Sequence, residues 1–184
     1  MTNINELPVD LPVPQDDGAT DHLKGMRLPN VVLKATNGQM IDLGNIKQKL
    51  VIYCYPMTGQ PNVALPDDWD QIPGARGCTP QSCSYRDHYQ ELQSLGVQVM
   101  GLSVQTTEYQ QEMANRLHLP FPVISDVNYE FQGALNMPTF ISAGMTLLKR
   151  VTLIADHGVI EAVHYPIFPS DSDAAWVLEY LKSH

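Results

Sequence analysis

The chain has 184 residues, 43% of them hydrophobic, which is enough to bury one sizeable core in a single domain. Twenty Asp and Glu against eleven Lys and Arg give a formal charge of −9. A field of that sign repels phosphate backbones and anionic bilayers, which argues against nucleic acid or a membrane surface as partner. Charged residues make up only 17%, so the chain is no disordered acidic tail. No apolar run reaches the roughly 18 residues of a spanning helix.

The first six residues, Met1 to Glu6, show neither a basic segment nor an apolar one, so a cytoplasmic location is expected. Residues 1–25 carry Pro8, Pro12, Pro14, Asp16, Asp17 and Gly18 with little periodicity, and are expected to form an extended arm on a domain of residues 26–184. Leu28 to Leu33, then Asn37-Gly38, then Met40 to Leu43 predict a β-hairpin with a two-residue turn. Leu50 to Tyr55 is a continuous apolar run ended by Pro56, the pattern of a central strand buried on both faces. Residues 57–77 hold Pro61, Pro66 and Pro73 with Gly59, Gly74 and Gly77, and predict a long loop. Asp67, Asp68 and Asp70 in that loop read as a solvated face.

A helix is predicted next, capped by Thr79, with Pro80 in its first turn. Tyr85, Tyr89, Leu92 and Leu95 mark its apolar stripe, and Gly96 ends it. Val97 to Ser103 predicts a strand, residues 107–118 a helix with Tyr109, Met113 and Leu117 inward, Phe121 to Ile124 a short strand, and residues 127–136 a helix. Val151 to Ala155 and Val159 to His164 flank His157-Gly158 as a second hairpin, and residues 172–182 predict a closing helix with Trp176, Leu178 and Leu181 apolar. Strands alternating with helices, with hairpins at both ends, indicate an α/β fold: a mixed central sheet flanked by helices.

The cysteines are Cys54, Cys78 and Cys83. Three is odd and too few for a secreted disulfide scaffold, and in a reducing compartment a close pair points to catalysis, redox sensing or metal binding. Cys54 lies inside the apolar strand and reads as a buried, inert thiol. Cys78 falls at the start of the predicted helix, where unpaired amides and the helix dipole favour a thiolate, the reactive form of cysteine. Arg76 and Arg86 are close in sequence and could add positive charge. Five residues of α-helix advance about 7.5 Å and leave two side chains about 140° apart, whereas a disulfide needs Cα atoms roughly 4.4–6.8 Å apart. Cys78 and Cys83 therefore cannot bridge unless the first turn unwinds. The C-x4-C spacing lacks a second Cys/His pair, so no metal is expected. The six histidines show no metal spacing and read as solvated or satisfied.

Gly77-Cys78-Thr79-Pro80-Gln81-Ser82-Cys83-Ser84-Tyr85-Arg86-Asp87 resembles the peroxidatic segment of the peroxiredoxins, most closely the peroxiredoxin Q (bacterioferritin comigratory protein) branch. The resemblance runs over roughly residues 26–168 and includes Tyr55-Pro56, Phe121 to Asp126, and Lys149 to Asp156. It implies a thioredoxin-like fold and a thiol-dependent peroxidase acting on hydrogen peroxide or organic hydroperoxides. No metal or organic cofactor is implied. Cys78 would be the peroxidatic cysteine, Cys83 the resolving one, and Arg150 the residue that holds the thiolate and the peroxide oxygens. An external thioredoxin- or glutaredoxin-like dithiol would reduce the disulfide, in a monomer or homodimer. The pattern departs from the family's Pro-x3-Thr-x2-Cys, since Ala75 and Gln71 stand at the expected Thr and Pro positions. Either Pro56 and Thr58 keep those roles with an insertion bulging out over about 57–77, or Pro73 and Thr79 take them over. Pro56 is favoured as the shield, and the hydroxyl role stays open between Thr58 and Thr79. Met137-Pro138-Thr139-Phe140 also looks like a thioredoxin cis-proline site, but the resembling strand begins at Arg150, so Pro138 reads as a loop proline. Two rival readings are a thiol–disulfide oxidoreductase on the same fold, which usually carries C-x2-C, and a non-enzymatic redox sensor.

Overall fold

The computed structural model describes residues 3–184, so the first two residues of the expected arm lie outside the described residues. Seven strands form one mixed sheet: β1 (Val32–Ala35), β2 (Met40–Asp42), β3 (Leu50–Cys54), β4 (Gln98–Ser103), β5 (Val123–Ser125), β8 (Val151–Asp156) and β9 (Val159–His164). Their order is β2-β1-β5-β4-β3-β8-β9. β3, β4 and β5 run parallel, while β8 runs antiparallel to both β3 and β9. A separate hairpin joins β6 (Thr139–Ser142) to β7 (Met145–Leu148). The helices are α1 (Cys78–Asp87), α2 (Tyr89–Ser94), α3 (Thr107–Arg116), α4 (Glu130–Leu135) and α5 (Asp173–Ser183).

Strand alternation divides the core. Leu50, Ile52 and Cys54 of β3 face one side with Phe131 and Leu135 of α4 and Leu23 of the N-terminal segment. Val51, Tyr53 and Tyr55 face the other with Tyr85, Leu92, Met113, Val177 and Leu178 from α1, α2, α3 and α5. Every residue of β3 is buried, as its unbroken apolar run predicts. The Tyr53 ring stacks on Tyr85 with centroids 4.5 Å apart, which seats α1 on the sheet. Gly101 lies opposite Tyr53 across β3 and β4, and a Cβ there would come within 2.8 Å of the ring.

Several local expectations are corrected. Strand β1 begins only at Val32, and the Asn37-Gly38 turn has three residues, closed by the Ala35 amide on the Gln39 carbonyl. Only Gly38 has positive φ there, so the tight two-residue turn does not form. His157-Gly158 does make that turn, with φ of 50° and 79°. The predicted single helix to Gly96 breaks at His88, and Leu95 is exposed. The long loop contains a 3-10 turn over Trp69–Gln71 whose Trp69 is buried beside Ala75 and Leu147. Its acidic triplet is not simply solvated: Asp70 pairs with Arg76 at 2.8 Å and Asp68 accepts from Ser142. Pro138 directly precedes β6 and its carbonyl accepts the Lys149 amide.

Residues 3–25 hold no helix or strand and pack against the domain. The Arg76 guanidinium donates to the carbonyls of Asn3 and Glu6. Asp17 accepts from Lys149 at 2.9 Å and from Tyr165 at 2.8 Å, bonds that hold its carboxyl down at about 2.

Candidate active site

Helix α1 begins at Cys78, ahead of the cap expected at Thr79. Gly77 is its N-cap, with φ 110° and no side-chain cap. Glycine is required there: the backbone is left-handed, and a Cβ would fall 2.1 Å from the Ser170 Oγ. That Oγ donates to the Gly77 carbonyl at 2.8 Å and fixes the turn. Cys78 is thus the first helical residue, and its amide and that of Thr79 have no acceptor inside the helix. Pro80, at the third helical position, has no N–H to leave unpaired.

The sulfur of Cys78 lies under Arg150, which leads into β8. Arg150 Nη2 is 3.2 Å from the sulfur, 3.1 Å from the Ala75 carbonyl and 3.3 Å from that of Arg76. Its Nη1 donates to Gln81 Oε1. Cys78 and Arg150 are only 3% and 4% exposed. Among the described residues, the buried Thr58 hydroxyl and the buried Arg150 Nε have no hydrogen-bond partner. Thr58 itself is well held, its amide donating to Gln105 Oε1 and its carbonyl accepting from Tyr109.

The expected site residues fall as follows. Arg150 is brought onto Cys78. Pro56 is buried at the end of β3, and its carbonyl accepts from Ser103, whereas Pro73 is exposed. Thr79 is the second residue of α1, so it does not cap the helix. Arg76 does not lend its charge to Cys78, because its guanidinium turns to Asp70, Asn3 and Glu6 while only its carbonyl meets Arg150. Burial pushes the Cys83 thiol up, and the charge of Arg86 beside it offsets part of that push. Cys83 is half-buried on intact α1, five residues from Cys78, and all three cysteines are free thiols. Burial drives the Cys54 thiol far up and keeps it protonated. Cys54→Ala is expected to leave the reactivity of Cys78 unchanged and to cost about 1 kcal/mol of stability, read from thiol alkylation rates and denaturant melts.

Two residues escaped the sequence reading. Gln81 joins Arg150 to Asp173, donating from Nε2 to Asp173 Oδ2 at 2.8 Å. Its spacing of three from Cys78 puts both on one helix face, which was the available signal. Asp173, 92 residues beyond Gln81 on α5, gave none.

A sequence model of the Redoxin family matches residues 23–178. Peroxiredoxin Q, chloroplastic, from Sedum lineare is 29% identical over 162 residues, covering 87% of this chain and 78% of that protein. The crystal structure of peroxidoxin BcpB from Mycobacterium tuberculosis superposes with a TM-score of 0.70 at 20% identity, covering 87% of this chain and 96% of that one. A bacterioferritin comigratory protein from Xanthomonas campestris, analysed for alkyl peroxide reduction, gives 0.65 at 19% identity over 95% and 98% of the two chains. The two structures establish a shared thioredoxin-like peroxiredoxin fold. Because the family match runs from the start of the buried core into α5 and is not confined to the cysteine segment, the chain belongs to the Redoxin family.

Proposed function

We propose that the protein is a thiol peroxidase that reduces hydroperoxides with Cys78 and resolves the product with Cys83. One observation carries the reading: a guanidinium Nη2 sits 3.2 Å from a sulfur at the first residue of a helix. Cation and helix terminus both favour the thiolate. The thiolate attacks one peroxide oxygen, the O–O bond breaks, and the other oxygen leaves with a proton as water or alcohol. Charge spreads over sulfur and both oxygens in the transition state, and donors already aimed at them lower the barrier.

The unpartnered Arg150 Nε and Thr58 hydroxyl supply such donors without giving up an existing bond. The free hydroxyl favours Thr58 over Thr79 for the hydroxyl role, and burial favours Pro56 over the exposed Pro73 as the shield. Thr58→Val is expected to slow the reaction of Cys78 with peroxide about 100-fold. The same change should leave stability equal or higher, because it deletes a buried hydroxyl with no partner. Stopped-flow oxidation and thermal melts read the two effects, and an unchanged rate would return the role to Thr79.

Cys78 then carries a sulfenic acid. Cys83 attacks it, forming the disulfide and releasing water. An external thioredoxin- or glutaredoxin-like dithiol reduces the bridge by exchange in a reducing compartment such as the cytoplasm. Peroxide reduction and resolution both draw on cysteines of one chain, and only the final reduction needs the external dithiol. Among the described residues no helix is long and apolar enough to cross a membrane. The test is peroxide consumption with a recycling dithiol, joined to intact-mass analysis after one equivalent of peroxide. A loss of two hydrogens linking Cys78 to Cys83 is expected. A stable sulfenic acid beside a free Cys83 would reject the resolving role.

A further inference from the structure

We infer that Asp173 is a positioning residue for this reaction, fixing Gln81 and through it Arg150 on the Cys78 sulfur. The inference rests on the proposed role of Cys78.

Asp173 is the first residue of α5 and is fully buried. Its Oδ2 accepts from Gln81 Nε2 at 2.8 Å, Tyr85 Oη at 2.8 Å and Thr152 Oγ1 at 2.6 Å. Its Oδ1 lies 2.7 Å from His164 Nδ1. An ionised carboxylate has about four acceptor positions and no donor, so this set fills it. The partners come from α1, β8 and β9, so one carboxylate ties the catalytic helix to both strands. A buried carboxylate is costly without such a set, and with it the charge is held in one place.

The consequence for Arg150 follows from the two ends of a glutamine. Guanidinium only donates, so Gln81 must turn its carbonyl toward Arg150. Rotating the amide by 180° would set NH2 against the guanidinium and the carbonyl against Asp173. Both contacts would then be unpaired and repulsive in a buried site. The acceptor-only carboxylate therefore selects the amide orientation that holds Nη1, and the same guanidinium places Nη2 on sulfur. The carboxylate charge also polarises the amide and makes its carbonyl a stronger acceptor.

The test uses the full chain with Asp173→Asn, Gln81→Glu and the double variant. Asp173→Asn frees the amide of Gln81 to turn, and Cys78 oxidation by peroxide should slow about tenfold. Gln81→Glu alone sets two carboxylates together in a buried site and should slow it further. In the double variant the carboxylate introduced at position 81 faces Arg150, while the amide introduced at position 173 donates to it. The rate should then recover to within about threefold of the wild type. A merely structural Asp173 would give no such rescue, because a carboxylate at position 81 cannot restore the bonds to Tyr85, Thr152 and His164. Rates are read by stopped flow and intact mass on Cys78, with melting curves on each variant. A double variant no faster than the slower single variant, or an Asp173→Asn enzyme with the wild-type rate, overturns the inference. If wild-type Cys78 is not the residue oxidised, the proposed function itself fails.

Discussion

Cys78→Ser is expected to stop peroxide consumption: with a recycling dithiol present, the rate should fall by at least about 1000-fold. A serine hydroxyl is not ionised near neutral pH, so Arg150 would face a neutral oxygen where it now meets sulfur. No second thiol can take over. Cys54 is sealed in β3 on the opposite side of the sheet, and burial holds it protonated. Cys83 stands off the face of α1 that carries Cys78, Gln81, Ser82 and Tyr85, and burial holds its thiol up as well. Cys83→Ser should behave differently. The first oxidation of Cys78 keeps its rate within about threefold, because Cys83 is not part of the donor set around the sulfur. Turnover with the dithiol collapses, and the sulfenic acid advances to sulfinic acid under excess peroxide. Single-turnover kinetics and intact mass separate the two variants. Full turnover by Cys78→Ser would end the assignment, and a Cys83→Ser enzyme equally slow in the first oxidation would place Cys83 in the peroxide step.

The cysteine pattern was legible because it is local. A glycine, a cysteine at a helix start and a second cysteine one turn and a half later follow one another directly, and helix geometry alone separates the two sulfurs. The strands β3, β8 and β9 were legible for the same reason, since their apolar runs and the His157-Gly158 turn carry their own signals. The β6–β7 hairpin was missed. Its turn is Ala143-Gly144, both at positive φ, and alanine is not a residue that marks such a turn.

Nearness in sequence misleads at Arg76. It stands two residues before Cys78, but carbonyls of the N-terminal segment and Asp70 capture its guanidinium. Asp70 is six residues away, but the two carbonyls lie 73 and 70 residues away and nothing local encodes them. Arg150, by contrast, stands 72 residues from Cys78 and was reachable only through a family resemblance. Asp173 was invisible for a related reason: a buried aspartate is explained by donors on three other elements, and no spacing along the chain records them.

Arg150 is also where charge and geometry can be separated by substitution. Arg150→Met keeps much of the stem and removes every donor, leaving Gln81 Oε1 and the carbonyls of Ala75 and Arg76 short of a partner in a buried site. The peroxide step should fall about 1000-fold, with a clear loss of stability. Arg150→Lys is the sharper experiment because it keeps the charge. An ammonium offers three donors from one point, so it cannot reach the sulfur, two carbonyls and Gln81 together as the planar fork does. It also lacks Nε, which stands without a partner among the described residues. The lysine variant should still form the thiolate, visible as ultraviolet absorbance and as alkylation by iodoacetamide, yet react with peroxide about 100-fold more slowly. Retention of the wild-type peroxide rate in Arg150→Lys would mean that positive charge alone suffices and that the fork is dispensable. Loss of alkylation in step with peroxide reactivity would mean that Arg150 acts by forming the thiolate and not by receiving the peroxide. Slow peroxide reduction with preserved alkylation is the expected result, since the planar fork and not charge alone sets the contacts around the sulfur.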